Sequence, residues 1–309
     1  MLTNFLAKSK PINFIIYLGL FLCFFLIAVI SIKFNDGFTW FKLLETSSFF
    51  AFFLAIFFFY SFIVSKNKLT FDHSYGFFLF TLLSILFISK ILAFKTLLLL
   101  LIYLLFLRKI YSLRSPKKVI QKLFDSGFWL GVLCILEPYL ILFSILIFTS
   151  ILLQQKITFR TLLTPVIGFF APIIIYFTYL FWNDNLEGFL QLLQLDITNT
   201  LFIYAKDSTI WIFATTILLT ICSLFLKSPK ALSVNNSFKR SWLLLITNLS
   251  IAVLFALVIT DKDGSEVIFL TIPASIIIAN GFEVIQKKWI KNVLLWILVI
   301  TTIFTFFQL

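Results

Sequence analysis

Residues 131–146 read GVLCILEPYLILFSIL, an apolar stretch broken at its centre by Glu137 and Pro138. A carboxylate in the middle of a bilayer costs about 2.5–3.5 kcal/mol on insertion scales. Proline removes a backbone donor and breaks or bends a helix. The surrounding apolar region, Gly127–Leu153, therefore has two readings. It crosses a membrane once, as a tilted helix of 27 residues and about 40 Å. Alternatively it turns back at the acid–proline pair, as two short helices, Gly127–Leu136 and Pro138–Leu153.

The rest of the chain supplies the context. Of its 309 residues, 61% are hydrophobic and 12% charged, and its mean hydropathy is +1.08. Soluble domains run near half apolar and a quarter charged. Apolar runs recur from end to end, which predicts one all-α integral membrane domain over residues 1–309. The other predicted spans are Ile12–Ile32, Leu43–Val64, Gly76–Ser89, Lys95–Leu107, Thr161–Trp182, Thr209–Leu226, Ser241–Thr260, Val267–Glu283 and Asn292–Gln308. With the broken region counted as a hairpin, the total is about eleven membrane segments. The net charge of +12 does not indicate nucleic acid, because the cations sit in short loops between apolar runs.

Those cations decide between the two readings, since every loop after the broken region changes side. Under the hairpin, with the N-terminus cytoplasmic, 19 of the 25 Lys and Arg residues share the inner side. Under a single crossing the count falls to 12 of 25, which is no bias. Cationic loops resist translocation, so the hairpin is expected. It places the protein in the inner (cytoplasmic) membrane of the cell envelope, multi-pass, with the C-terminus periplasmic. Glu137 then marks the tip of a hairpin facing outward. Its first arm has ten residues, too short to span alone. A preceding pair of short helices carries Lys90 and Lys95 at its own tip, on the same side. Opposite charges on two tips predict a cavity open to the outside.

Catalytic signatures are few. Cys23, Cys134 and Cys222 lie singly inside apolar runs and read as packing residues. The one histidine, His73, sits in a polar inner loop and reads as solvated. No metal spacing, Walker loop, GxGxxG or GxSxG occurs, so no metal or cofactor is expected. Ionisable residues near a membrane are the functional candidates by default. These are Glu137 and Asp36 as acid or base, with Lys90 and Lys95 as substrate-binding cations. The basic inner loop carries Arg108, Lys109, Arg114, Lys117, Lys118 and Lys122, and is a candidate contact for anionic lipid. The outer stretch NLEGFLQLLQLDITNTLFIY has near-helical apolar spacing and predicts a helix lying on the membrane surface.

Two resemblances add to this. The run LLFLRKIYSLRSPKKVIQKLFDSGFWLGV, with the broken hairpin and then RTLLTPVIGFFAPIIIYFTYLFWND, resembles an uncharacterised family of integral membrane proteins from the Bacteroidota. Residues 95–183 are also similar in layout to the C-superfamily glycosyltransferases that use polyprenol-linked sugars. The matching features are Lys117–Lys122, Gly127 with Gly131, Glu137, Lys156–Arg160, and Pro165 with Pro172. That resemblance implies a lipid-linked substrate. The chain departs from it in the first outer loop, Lys33–Lys42, which holds a single acid, Asp36. The expected function is the handling of a lipid or lipid-linked substrate. The alternative is a non-catalytic subunit with a membrane-protein partner, or a transporter or flippase.

Overall fold

The computed structural model describes residues 2–34, 39–193, 209–233, 236–259 and 264–307. Among these there is no strand, and the elements are helices throughout. Helix α1 (Leu2–Leu6) leads into α2 (Pro11–Lys33) and α3 (Trp40–Lys66). A short helix α4 (Tyr75–Leu86), one turn of α5 (Ile88–Ile91) and α6 (Phe94–Ser112) follow. Then come α7 (Val119–Leu136), a 3₁₀ segment (Pro138–Phe143) and α8 (Ser144–Leu153). Helices α9 (Phe159–Trp182), α10 (Leu186–Leu193), α11 (Thr209–Ser233), α12 (Asn236–Val258), α13 (Ile268–Val284) and α14 (Lys288–Phe306) complete the chain. Eight of these helical stretches are long and apolar enough to cross a membrane, and Tyr75–Leu86 and Pro138–Leu153 are shorter apolar helices. The protein is thus a multi-pass membrane protein.

The chain does reverse at the acid–proline pair. Glu137 has extended backbone at φ −149°, ψ 98°, the conformation that a following proline favours. Its N–H still bonds to Leu133 O at 2.8 Å, so α7 is capped there. Its carbonyl accepts from Leu140 N at 3.1 Å and opens the 3₁₀ turn. At the far end of α8 the ammonium of Lys156 reaches Leu113 O and Ser115 O, which lie just before α7 begins. The two arms therefore start and finish at the same end of the bundle.

The first arm is longer than hydropathy predicted. Helix α7 starts at Val119 rather than Gly127 and has 18 residues, about 27 Å of helix. The polar run VIQKLFDS is helical because it packs: Leu123 and Ser126 are buried, and Asp125 pairs with Lys109 of α6 at 2.6 Å. The tip is therefore carried on an arm of nearly full membrane length.

Packing in a membrane relies on close contact and polar glue, because lipid competes for apolar surface. Helix α9 meets α7 along one stripe, Thr161, Pro165, Gly168, Pro172 and Leu180. A Cβ at Gly127 would fall on the Pro165 carbonyl and one at Gly131 on the Phe169 carbonyl. The pair is a small-xxx-small contact that lets two backbones touch. Helix α13 is the centre, with 89% of its span buried. Its Ser275 Oγ shares a 2.8 Å hydrogen bond with Tyr60 of α3, and Asn280 Nδ2 donates to Leu69 O at 2.9 Å. Phe143 of the hairpin stacks edge-on to Tyr103 at 5.0 Å and lies near Phe255 and Phe269. Such aromatic pairs contribute about 0.5–1.5 kcal/mol each beyond area.

Candidate functional site

The described contacts between connections mark two ends of the bundle. At one end Arg114 Nη1 donates to Asn67 O at 2.8 Å and Nη2 to Ser237 Oγ at 3.2 Å. Thr3 N donates to Asn292 Oδ1 at 3.1 Å and Lys227 pairs with Glu283 at 2.6 Å. These contacts, with that of Lys156 on Leu113 O, bring together α1, the connections that follow α3, α6 and α8, the start of α12 and the facing ends of α11, α13 and α14. At the other end lie the Lys33–Glu45 pair, the Glu137 tip and the turn before α13.

At the tip end the structure brings three of the four sequence candidates together. Glu137 Oε2 accepts from Lys95 Nζ at 3.1 Å, across 42 residues of sequence. Lys90 lies against Gly264, whose φ of +84° is the left-handed region that favours glycine. A Cβ there would press on the Lys90 side chain at 3.0 Å. Glu266, 1% exposed, stands within electrostatic reach of both Lys90 and Glu137. The cluster is two acids and two bases, mutually neutralised. Glu266 is not among the sequence candidates, because nothing local brings the turn before α13 beside residues 90 and 137. Asp36, the remaining candidate, lies outside the described residues, as do residues 194–208 of the predicted surface helix. Its first part is α10, where Phe189 packs on Phe177 of α9 with ring centroids 5.0 Å apart.

The opposite end holds a cavity of about 690 Å³ between the end of α3, the end of α6 and the start of α7. Seven cations line it: Lys66, Lys68, Arg108, Lys109, Arg114, Lys118 and Lys122. Asp125 is the one carboxylate among the lining residues, and it is engaged by Lys109 at 2.6 Å. Lys122 is anchored on Ser112 O at 2.6 Å. Arg108 is held face-on by Phe62, 5.1 Å from its ring centroid, a geometry that fixes the guanidinium without neutralising it. Lys118 has φ +52° and stands at the start of α7, which has no side-chain cap. The leading N–H groups of that helix point where an anion is stabilised. Nearby, burial, with Lys122 and Arg240 as neighbours, lowers the Lys156 ammonium below the usual lysine range. Five of the six loop cations predicted for anionic contact line this cavity, and Lys117 stands outside it. Lys66 and Lys68 come from the end of α3 and were not legible as partners.

His73 overturns its sequence reading. It is 6% exposed rather than solvated, with Glu283 of α13 3.9 Å from Nε2 and the Tyr75 ring centroid 5.1 Å away. Burial pushes its pKa down to about 4, with Glu283 opposing the shift and Lys227 adding to it. A separate apolar cavity of about 280 Å³ lies between α4, α11, α13 and α14. The hydroxyls of Thr301, Thr302 and Thr305 on its wall are spent on carbonyls of α14 itself, so it reads as a packing gap.

A family model matches residues 1–309 in full, described as a family of unknown function (DUF6427). The chain belongs to that family. No match was found among curated proteins or among solved structures.

Proposed function

We propose that this protein binds the phosphate headgroup of an anionic lipid at the cavity formed by α3, α6 and α7. One observation carries the reading: seven cations face a space of about 690 Å³ with a single carboxylate among them. Like charges gathered this way repel one another, and an anion relieves the repulsion. The volume falls within the roughly 300–1,000 Å³ of ligand sites. The cavity opens at a helix end, where a headgroup lies when its acyl chains remain in the bilayer. Each cation near such a headgroup contributes about 1 kcal/mol. On this reading the 19 cations of that end face the cytoplasm, and the protein handles lipid from the inner leaflet.

Vesicle binding tests it. The purified protein is reconstituted in neutral lipid, and binding of a fluorescent phosphatidylglycerol is titrated. Arg108→Gln and Lys118→Asn should each weaken binding about fivefold. Asn tolerates the left-handed backbone at 118. Unchanged affinity in the double variant would refute the site.

A second reading has its own observation. Lys90, Lys95 and Glu137 converge at the other end, as an acid–base and phosphate-binding set would. Loss of a deletion-strain phenotype's rescue by Glu137→Gln, with lipid binding intact, would favour it over the first.

A further inference from the structure

A second cavity, about 660 Å³, adjoins the basic one. Lys68 and Arg114 line both, so the two chambers share a cationic wall. Arg114 is fixed there by its bonds to Asn67 O at 2.8 Å and Ser237 Oγ at 3.2 Å. The second chamber also contains His73, whose side chain is 5% exposed. Neither ring nitrogen has a hydrogen-bond partner among the described residues. The nearest carboxylate, Glu283, lies 3.9 Å from Nε2. It is already engaged by Lys227 at 2.6 Å, whose ammonium sits 4.8 Å from the Phe71 ring centre and 5.5 Å from that of Phe238. A neutral imidazole always presents one N–H. A buried donor without a protein acceptor is completed by a water or by a ligand oxygen. Asp72 is the one carboxylate among the lining residues, against Lys68 and Arg114.

We propose that the lipid carries two phosphate groups, one in each chamber, with Lys68 and Arg114 between them and the His73 ring N–H donating to the second. The inference rests on the reading above and narrows its ligand class. The class assigned is two phosphodiesters joined by a short polyol, which separates its phosphates further than the single bridging oxygen of a diphosphate does.

The test uses the full chain in neutral-lipid nanodiscs. The probes are a diacyl lipid with one phosphate and a glycerol-bridged lipid with two, carrying the same acyl chains. The two-phosphate lipid should bind about tenfold tighter or more. His73→Phe removes the donor while keeping an aromatic ring in its place. Ser9→Trp, at an exposed position on the chamber rim, blocks entry without disturbing the interior. Either should reduce the preference to about threefold or less and leave one-phosphate binding unchanged. Equal wild-type affinities, or variants that weaken both lipids alike, would overturn the proposal and leave the single headgroup site standing. Absence of binding by either lipid removes both readings. Competition by the deacylated two-phosphate headgroup as strong as by the lipid would assign the chambers to a soluble anion and overturn the lipid class.

Discussion

At the residue scale, His73 sets a pH dependence. Its ordinary pKa of 6.5 falls to about 4 in the fold. The unfolded chain therefore binds a proton that the folded chain refuses between those values. Stability is complete above pH ~6.5 and falls as pH drops toward ~4, by about 3 kcal/mol at 1.4 kcal/mol per unit. Thermal unfolding in detergent, followed across that window, should show this loss in the wild type. In His73→Phe the corresponding slope should vanish, because an apolar ring replaces the group that must stay neutral. A slope that persists in the variant would place the titration elsewhere. The Lys95–Glu137 pair argues differently. Lys95 is 64% exposed at its side chain, so water screens the interaction and Glu137→Gln should cost no more than about 1 kcal/mol. A loss well beyond that would show that the pair holds the tip in place. Neither residue's environment was legible in sequence. The loop KNKLTFDHSYG is polar enough to look solvated, and the groups that face the buried ring, Lys227 of α11 and Glu283 of α13, are distant in sequence.

At the element scale, the broken hairpin was legible because proline acts locally: it forbids the next helical bond wherever the chain goes. The α7–α9 contact was half legible. The G-x-x-x-G spacing of Gly127 and Gly131 stood in the sequence, but its partner surface did not. That surface, Pro165, Gly168 and Pro172, is recognisable afterwards as one helical stripe. The start of α7 was not legible, since hydropathy cannot see that Asp125 is satisfied by Lys109. Replacing Gly131 by Val places two methyl groups where the Phe169 backbone now lies. Helix α9 must then move outward, and overpacking of this kind costs about 1–3 kcal/mol. A cysteine pair engineered across α7 and α9 should cross-link readily in the parent and poorly in Gly131→Val. Equal cross-linking would mean that the contact has slack.

At the scale of the whole molecule, contacts between connections make sidedness a single binary question. The contacts of Lys156 with Leu113 and Ser115, and of Arg240 with Gln155 at 3.5 Å, tie three connections to one end. Any label that reaches Ser115 from one side must therefore reach Gln155 from the same side. The proposed orientation puts that side in the cytoplasm, because translocating a loop that carries several Lys and Arg residues opposes the membrane potential. A membrane-impermeant thiol reagent applied to intact cells should spare Ser115→Cys and Gln155→Cys and modify Asn183→Cys at the other end, in a chain whose native cysteines are replaced. Inverted membrane vesicles should show the reverse. Opposite accessibility of positions 115 and 155 would contradict the chain reversal at Glu137. Matched accessibility from outside the cell would keep the fold but move the basic cavity to the outer leaflet. The lipid it meets would then be one exposed there, and the orientation argued from charge would fail while the packing argued from contacts survived.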